Sequence, residues 1–372
     1  MILKEKNARS STIYNNEWSN GVFMKKRVLA GVLAAAMMMA ATTACGNSQG
    51  AANGNDGEYV LKIGEAQGAL CHAPLQIAME NGYLDEAGIK WERVDFGKAD
   101  IQAALGAGTI DCGFGLVGKF IQPIDNGLNM VITAGMHTGC TKLLVKKDSG
   151  IKTVSDLKGK KIAVSSLAGS EAVTAKRLLY SDGFDISADS SDIEFLVYST
   201  TDQPIALQNG AVDAICVMDP IASQAEKEYD LLALMDTAKT EPYASEYCCV
   251  TFVSTELAEK HTDIAAKFTD ACLKASAWVA AHPEEAAKIQ VEKDYVSGNA
   301  DDNGAILKTY EFRPSVQGGY DALVNVAKEL KDIGLLGENT DTDALVKRSF
   351  RKFDGVPDSY EANGDSFTAV NK

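Results

Sequence analysis

The chain has 372 residues, 46% of them hydrophobic and 23% charged, with a formal net charge of −15. That length and apolar content can bury the core of two ordinary domains, which excludes a disordered chain or a disulfide-stapled miniature. The acidic balance excludes proteins that grip nucleic acid or an anionic bilayer through a basic surface.

The first element is an export signal over residues 1–44. Lys25, Lys26 and Arg27 precede an uncharged apolar run over residues 28–41, shorter than the roughly 20 residues a spanning helix needs, so it is expected to be removed. Met24 is the expected start, because residues 1–23 carry no export logic of their own. Thr42-Thr43-Ala44-Cys45 resembles the lipobox of bacterial lipoproteins, with Thr42 where Leu is usual. It implies acylation of Cys45 and anchorage to a lipid bilayer; ordinary cleavage after small residues is the alternative. Residues 45–57, rich in Gly, Ser, Asn, Gln and Ala, read as a flexible tether. Loss of residues 1–44 removes six Lys/Arg and two Glu and leaves a net charge of −19. The best later candidate for a membrane span, residues 264–281, is interrupted by Lys267, Asp270 and Lys274.

From Tyr59 onward, short β-like runs alternate with helical segments. Strands are expected at 59–64, 89–94, 110–114 and 130–134, with helices at 72–81, 101–107 and 119–126 between them. This is the rhythm of βαβ units and a mostly parallel sheet. A strand over 140–145 reads as leading away into a second series: strands at 161–164, 193–197 and 214–217, helices at 170–181, 203–209 and 220–228. The apolar stretch 247–253 reads as the return, with everything after it helical, including amphipathic segments at 264–279 and 320–335. The domains expected are therefore lobe I from 58–143 and 248–372, and lobe II from 144–247.

Several segments then match one family pattern in order. They are Ala73-Pro74-Leu75-Gln76-Ile77-Ala78 with Glu80-Asn81-Gly82-Tyr83-Leu84, Gln102-Ala103-Ala104-Leu105 with Gly108-Thr109-Ile110-Asp111, and the long run from Gly150 to Val164. Ala206-Leu207-Gln208-Asn209-Gly210-Ala211-Val212-Asp213-Ala214 and Asp219-Pro220 follow. Taken one by one these suit helix caps and turns; together they resemble the solute-binding proteins for nitrate, sulfonates, taurine and thiamine-pyrimidine precursors. The resemblance implies an α/β, two-lobed type II periplasmic-binding-protein fold with a two-strand hinge and a helical C-terminal segment. It further implies a monomer outside the cell membrane or in the periplasm that hands a small-molecule ligand to the membrane permease of an ABC importer. Two alternatives share the fold: an enzyme like the thiamine-pyrimidine-precursor synthase, which has an iron site and a cysteine cluster, and an extracellular ligand sensor without transport. No Gly-x-Ser-x-Gly, His-Glu-x-x-His or phosphate loop occurs.

Ligands of open α/β sheets lie beyond the carboxyl ends of strands, where helix N-termini offer unpaired N–H groups. Four loops are candidates: 66–73 with Gly68, Leu70, Cys71 and His72; 112–118 with Gly113 and Phe114; 165–171 with Ser166, Gly169 and Ser170; and 199–203 with Thr201. Asp219, His137 and Cys140 are expected along the back. These loops hold no Arg, and Lys119 is the one cation in them or just beyond, which argues against an anionic ligand. Of the cysteines other than Cys45, Cys71, Cys112, Cys140, Cys216, Cys248 and Cys249 fall on candidate loops or crossing strands, while Cys272 lies on a plain helix. With His72 and His137 they could hold a soft metal or a metal-bearing ligand. Disulfide pairing or plain packing are the alternatives, and no other cofactor is implied.

Overall fold

The structure is a computed structural model that describes residues 59–95, 100–187, 190, 192–364 and 366–371. The export signal, Cys45 and the tether lie outside the described residues.

The chain opens with β1 (Val60–Glu65), a 3₁₀ turn at Leu70–His72, α1 (Ala73–Glu80), α2 (Tyr83–Glu86), β2 (Lys90–Asp95), α3 (Ile101–Gly106), β3 (Cys112–Leu116), α4 (Val117–Asp125) and β4 (Met130–His137). A short crossing leads to β5 (Thr141–Lys146), β6 (Lys160–Val164), α5 (Ser170–Ser181), β7 (Ile193–Val197), α6 (Gln203–Gln208), β8 (Ala214–Met218), α7 (Ile221–Glu228) and β9 (Leu231–Asp236). The chain then returns through β10 (Cys249–Ser254) and continues as α8 (Thr255–Lys260), α9 (Thr262–Ala281), α10 (Pro283–Glu292), α11 (Ala300–Leu307), α12 (Val316–Asp332), α13 (Thr342–Ser349), β11 (Ser359–Asn363) and β12 (Ser366–Val370).

Two five-stranded sheets result, in the orders β2-β1-β3-β10-β4 and β7-β6-β8-β5-β9. In the first, β1 runs parallel to β2 and β3, whereas β10 is antiparallel to both β3 and β4. In the second, β6 is parallel to β7 and β8, and β5 is antiparallel to β8 and β9. Each sheet is covered on both faces, so alternate residues of one strand enter different cores. Leu143 and Val145 of β5 pack with Ile162 and Leu179, whereas Leu144 between them joins Leu207, Ile215 and Val217.

In the first sheet β3 is wholly buried, and its glycines make room for aromatic rings. A Cβ at Gly113 would sit 2.8 Å from Phe252 Cζ, and one at Gly115 2.6 Å from Phe120 Cζ.

The crossing from β4 to β5 turns at Gly139, which has φ +76° and whose Cβ would lie 2.7 Å from Ala238. Only glycine meets both demands without strain. The outgoing Gly139 and the returning stretch before β10 are the two covalent links between the sheets.

Two features depart from the sequence reading. The segment after residue 253 is not all helical, because β11 and β12 pair as an antiparallel hairpin. Tyr360 and Phe367 anchor it: the Tyr360 hydroxyl donates to Asp270 Oδ1 at 2.6 Å, and Phe367 packs edge-on against Tyr83. The strand β9 was not foreseen either, since Leu231-Leu232-Ala233-Leu234-Met235 has the composition of a helix as much as a strand. Among the described residues, no helix is long and apolar enough to cross a membrane.

Candidate functional site

A cleft of ≈ 570 Å³ separates the two sheets at the carboxyl ends of their strands. From the first sheet it receives Gly68 and His72, then Phe114 and Leu116 at the end of β3, and Lys119 and Phe120 on α4. From the second come Ser170 at the start of α5, Thr200 and Thr201 after β7, and Met218 to Ile221 after β8.

The charges along this cleft are mostly negative. Lys119 Nζ lies 3.4 Å from Asp100 Oδ1, so its charge is already matched. His72 Nδ1 lies 3.3 Å from Glu65 Oε1, which also accepts from Gln76 Nε2 at 2.7 Å. Gln76 is held in turn by Gln290 Nε2 at 2.5 Å. The other oxygen of Glu65 is buried with no hydrogen-bond partner among the described residues. Across the cleft, Asp219 accepts from the Ser223 amide at 2.8 Å and from the Tyr310 hydroxyl at 2.9 Å. Burial pushes the Asp219 carboxyl above its ordinary range, against the pull of Ser223, Lys142 and Tyr310. Burial does the same to Glu171 in the first turn of α5, where Ser165 donates to it at 3.1 Å.

Of the residues expected at the site, Gly68, His72, Phe114, Ser170, Thr201 and Asp219 line this cleft. Ser170 is the first residue of α5, and Gly169 rather than a side chain occupies its cap. Ser166 and Gly169 stay within their own loop, joined by a 3.0 Å backbone bond. Leu70, Cys71, Gly113, His137 and Cys140, also expected there, are buried and are not among the residues that line this cleft. Leu70 and Cys71 face inward from the 3₁₀ turn, and Gly113 serves the packing of Phe252. His137 is enclosed by Phe114, Tyr310 and Phe312, and desolvation lowers its pKa. Ser297, Met218 and Ile221 were missed; Ser297 sits in the C-terminal part that periodicity marks only as covering helices.

The cysteines divide. Cys112 points at the Lys62 carbonyl, Cys216 at the Glu171 carbonyl, and Cys272 is buried in α9. Cys71, Cys140, Cys248 and Cys249 instead converge beside His137 where the chain crosses between sheets. The seven described cysteines are free thiols, and these four do not line the cleft. Cys248 borders a separate gap of ≈ 30 Å³ together with Ser170, Thr174 and Arg177.

Arg177 on α5 ties the halves together on that side. Its guanidinium donates to both oxygens of Glu246 at 2.8 and 3.0 Å, and to Glu329 on α12. The arginine side chain is only 6% exposed.

The NMT1/THI5-like family description matches residues 70–286. A relative from Bacillus subtilis (strain 168), named for binding aliphatic sulfonates, is 29% identical over 253 residues, spanning 64% of this chain and 72% of its own. Among solved structures, the alkanesulfonate-binding protein SsuA from Xanthomonas axonopodis pv. citri, bound to MOPS, superposes with a TM-score of 0.64 at 19% identity. That match covers 79% of this chain and 98% of the other. The periplasmic nitrate-binding protein NrtA from Synechocystis PCC 6803 gives a TM-score of 0.65 at 17% identity, covering 78% and 86%. These likenesses establish the two-lobed periplasmic-binding-protein fold.

Proposed function

The chain belongs to the NMT1/THI5-like family, and on that premise we propose that it is the monomeric solute-binding component of an ABC importer. It is exported, anchored through an acylated Cys45, and captures a small molecule between its lobes for delivery to a membrane permease. The observation that carries this reading is the cleft itself: ≈ 570 Å³, within the span usual for small-ligand sites, with aromatic and apolar walls and a few convergent polar groups. Its ligand is uncharged or cationic. Asp219 and Asp100 outnumber the single lysine that lines it, and that lysine is already paired with Asp100. A sulfonate entering here would meet carboxylates and displace Lys119 from Asp100, a cost that an arginine-lined anion site does not carry. A synthase-like enzyme is disfavoured, since the clustered thiols do not line the cleft.

The purified domain is to be screened by thermal shift against pyrimidines, amines and aliphatic sulfonates, with small-angle scattering on every hit. The outcome expected is stabilisation by neutral or cationic compounds together with compaction, as hinge closure requires. Stabilisation by sulfonates alone would overturn the charge assignment, and binding without compaction would overturn the closing mechanism.

A further inference from the structure

The hinge carries a second constellation, unrelated to what the cleft binds. Cys140 lies in the outgoing crossing just before β5, Cys248 just before β10 and Cys249 at its first residue, and Cys71 comes from the turn before α1. Cys140, Cys248 and Cys249 bring their sulfurs within 4.8 Å of one another, as do the donor atoms of Cys71, His137 and Cys249. Cys140 Sγ and Cys248 Sγ are 3.6 Å apart. A tetrahedral ion with metal–sulfur bonds near 2.3 Å sets its sulfurs about 3.8 Å apart, so the Cys140–Cys248 spacing is that of two thiolates on one ion, and Cys249, which belongs to both groups of donors, brings Cys71 in as the fourth. No carboxylate belongs to either group of donors, which suits a soft or borderline ion and not Mg²⁺, Ca²⁺ or a carboxylate-bound iron. His137 Nε2 lies 3.1 Å from the Cys71 carbonyl, and its Nδ1 lies 3.7 Å from Cys248 Sγ. This places the imidazole against the Cys248 thiol and against the backbone that carries Cys71.

We propose that Cys71, Cys140, Cys248 and Cys249 form a tetrathiolate site for a closed-shell metal ion of the zinc class, which ties the outgoing and returning strands of the hinge to lobe I. Cys71, Cys140 and Cys249 are buried, while half-buried Cys248 borders the interlobe gap and gives the ion its way in.

The full chain, purified with thiols reduced, is titrated with Zn²⁺ and separately with Co²⁺. One ion per chain by native mass spectrometry is expected, with the intense absorption of tetrahedral cobalt and a thiolate charge-transfer band. C140S and C249S should each weaken Zn²⁺ by more than about 100-fold, beyond the 10–100-fold that losing an outer partner costs, and H137Q by no more than that range. Because buried variants can misfold, the unsubstituted chain supplies a second reading: the four thiols resist alkylation with zinc bound and react after chelation. Absence of a bound ion, an octahedral cobalt spectrum, undiminished affinity in both serine variants, or a Cys140–Cys248 disulfide in peptide mapping would each overturn the site. None of these readings depends on whether the cleft binds a solute.

Discussion

Asp219 shows how one side chain can serve a cleft at a cost to the fold. It is buried, its carboxyl titrates above the usual range because of that burial, and two donors hold it in place. A carboxyl raised on folding contributes stability that is complete below its unfolded value, near 3.9, and is lost as pH rises through its folded value. Asp219→Asn should therefore raise the melting temperature at neutral pH, with the gain shrinking toward about pH 4, since the amide oxygen can still accept from Tyr310. Melts of both proteins across that range test it; a variant gain that persists undiminished into acid would show that the titration is not the cause. The same substitution should weaken cationic ligands far more than neutral ones, because it removes a cleft charge.

At the scale of elements, the close approach of α12 to β4 rests on two glycines. A Cβ on Gly319 would come within 2.3 Å of the Gly135 amide nitrogen, and the backbone bonds between Gly135 and Ser315 at 2.9 Å hold the start of that helix on the strand. Gly319→Ala should destabilise the protein by about 1–3 kcal/mol through overpacking, read from urea midpoints. An unchanged midpoint would mean that the helix can lift freely. Most of the elements were legible from the sequence because their signals are local: Gly108 and Gly210 turn at positive φ after α3 and α6, and the Thr153–Asp156 capping box starts the turn before β6. The hairpin β11–β12 was not, because its stability comes from contacts with Tyr83 and Asp270, far away in the chain. The site was only half legible for a related reason. Loops at strand ends could be named, but whether a residue such as His137 faces the cleft or the layer beneath depends on which way its strand is turned, and adjacent positions point to opposite faces.

For the molecule as a whole, the contact that matters is Arg177 between α5, Glu246 and Glu329. Removing one partner of a buried charge group leaves the rest uncompensated, at a cost of about 3–5 kcal/mol. Arg177→Met should therefore lower stability by that order at neutral pH and expand the unliganded protein in small-angle scattering. The loss should be smaller in acid, where Glu246, already inclined to protonate by its burial, becomes neutral. An unaltered scattering profile would show that the arginine packs without restraining the lobes.

That guanidinium acts in the absence of any cargo. If part of the population is already shut when empty, apparent affinity rises in proportion to that fraction, for every compound that fits and not for one alone. Tight capture and fine discrimination then pull in opposite directions. If the chain feeds an importer as proposed, that importer would tolerate a broader menu of solutes, and would meet empty carriers shaped like full ones.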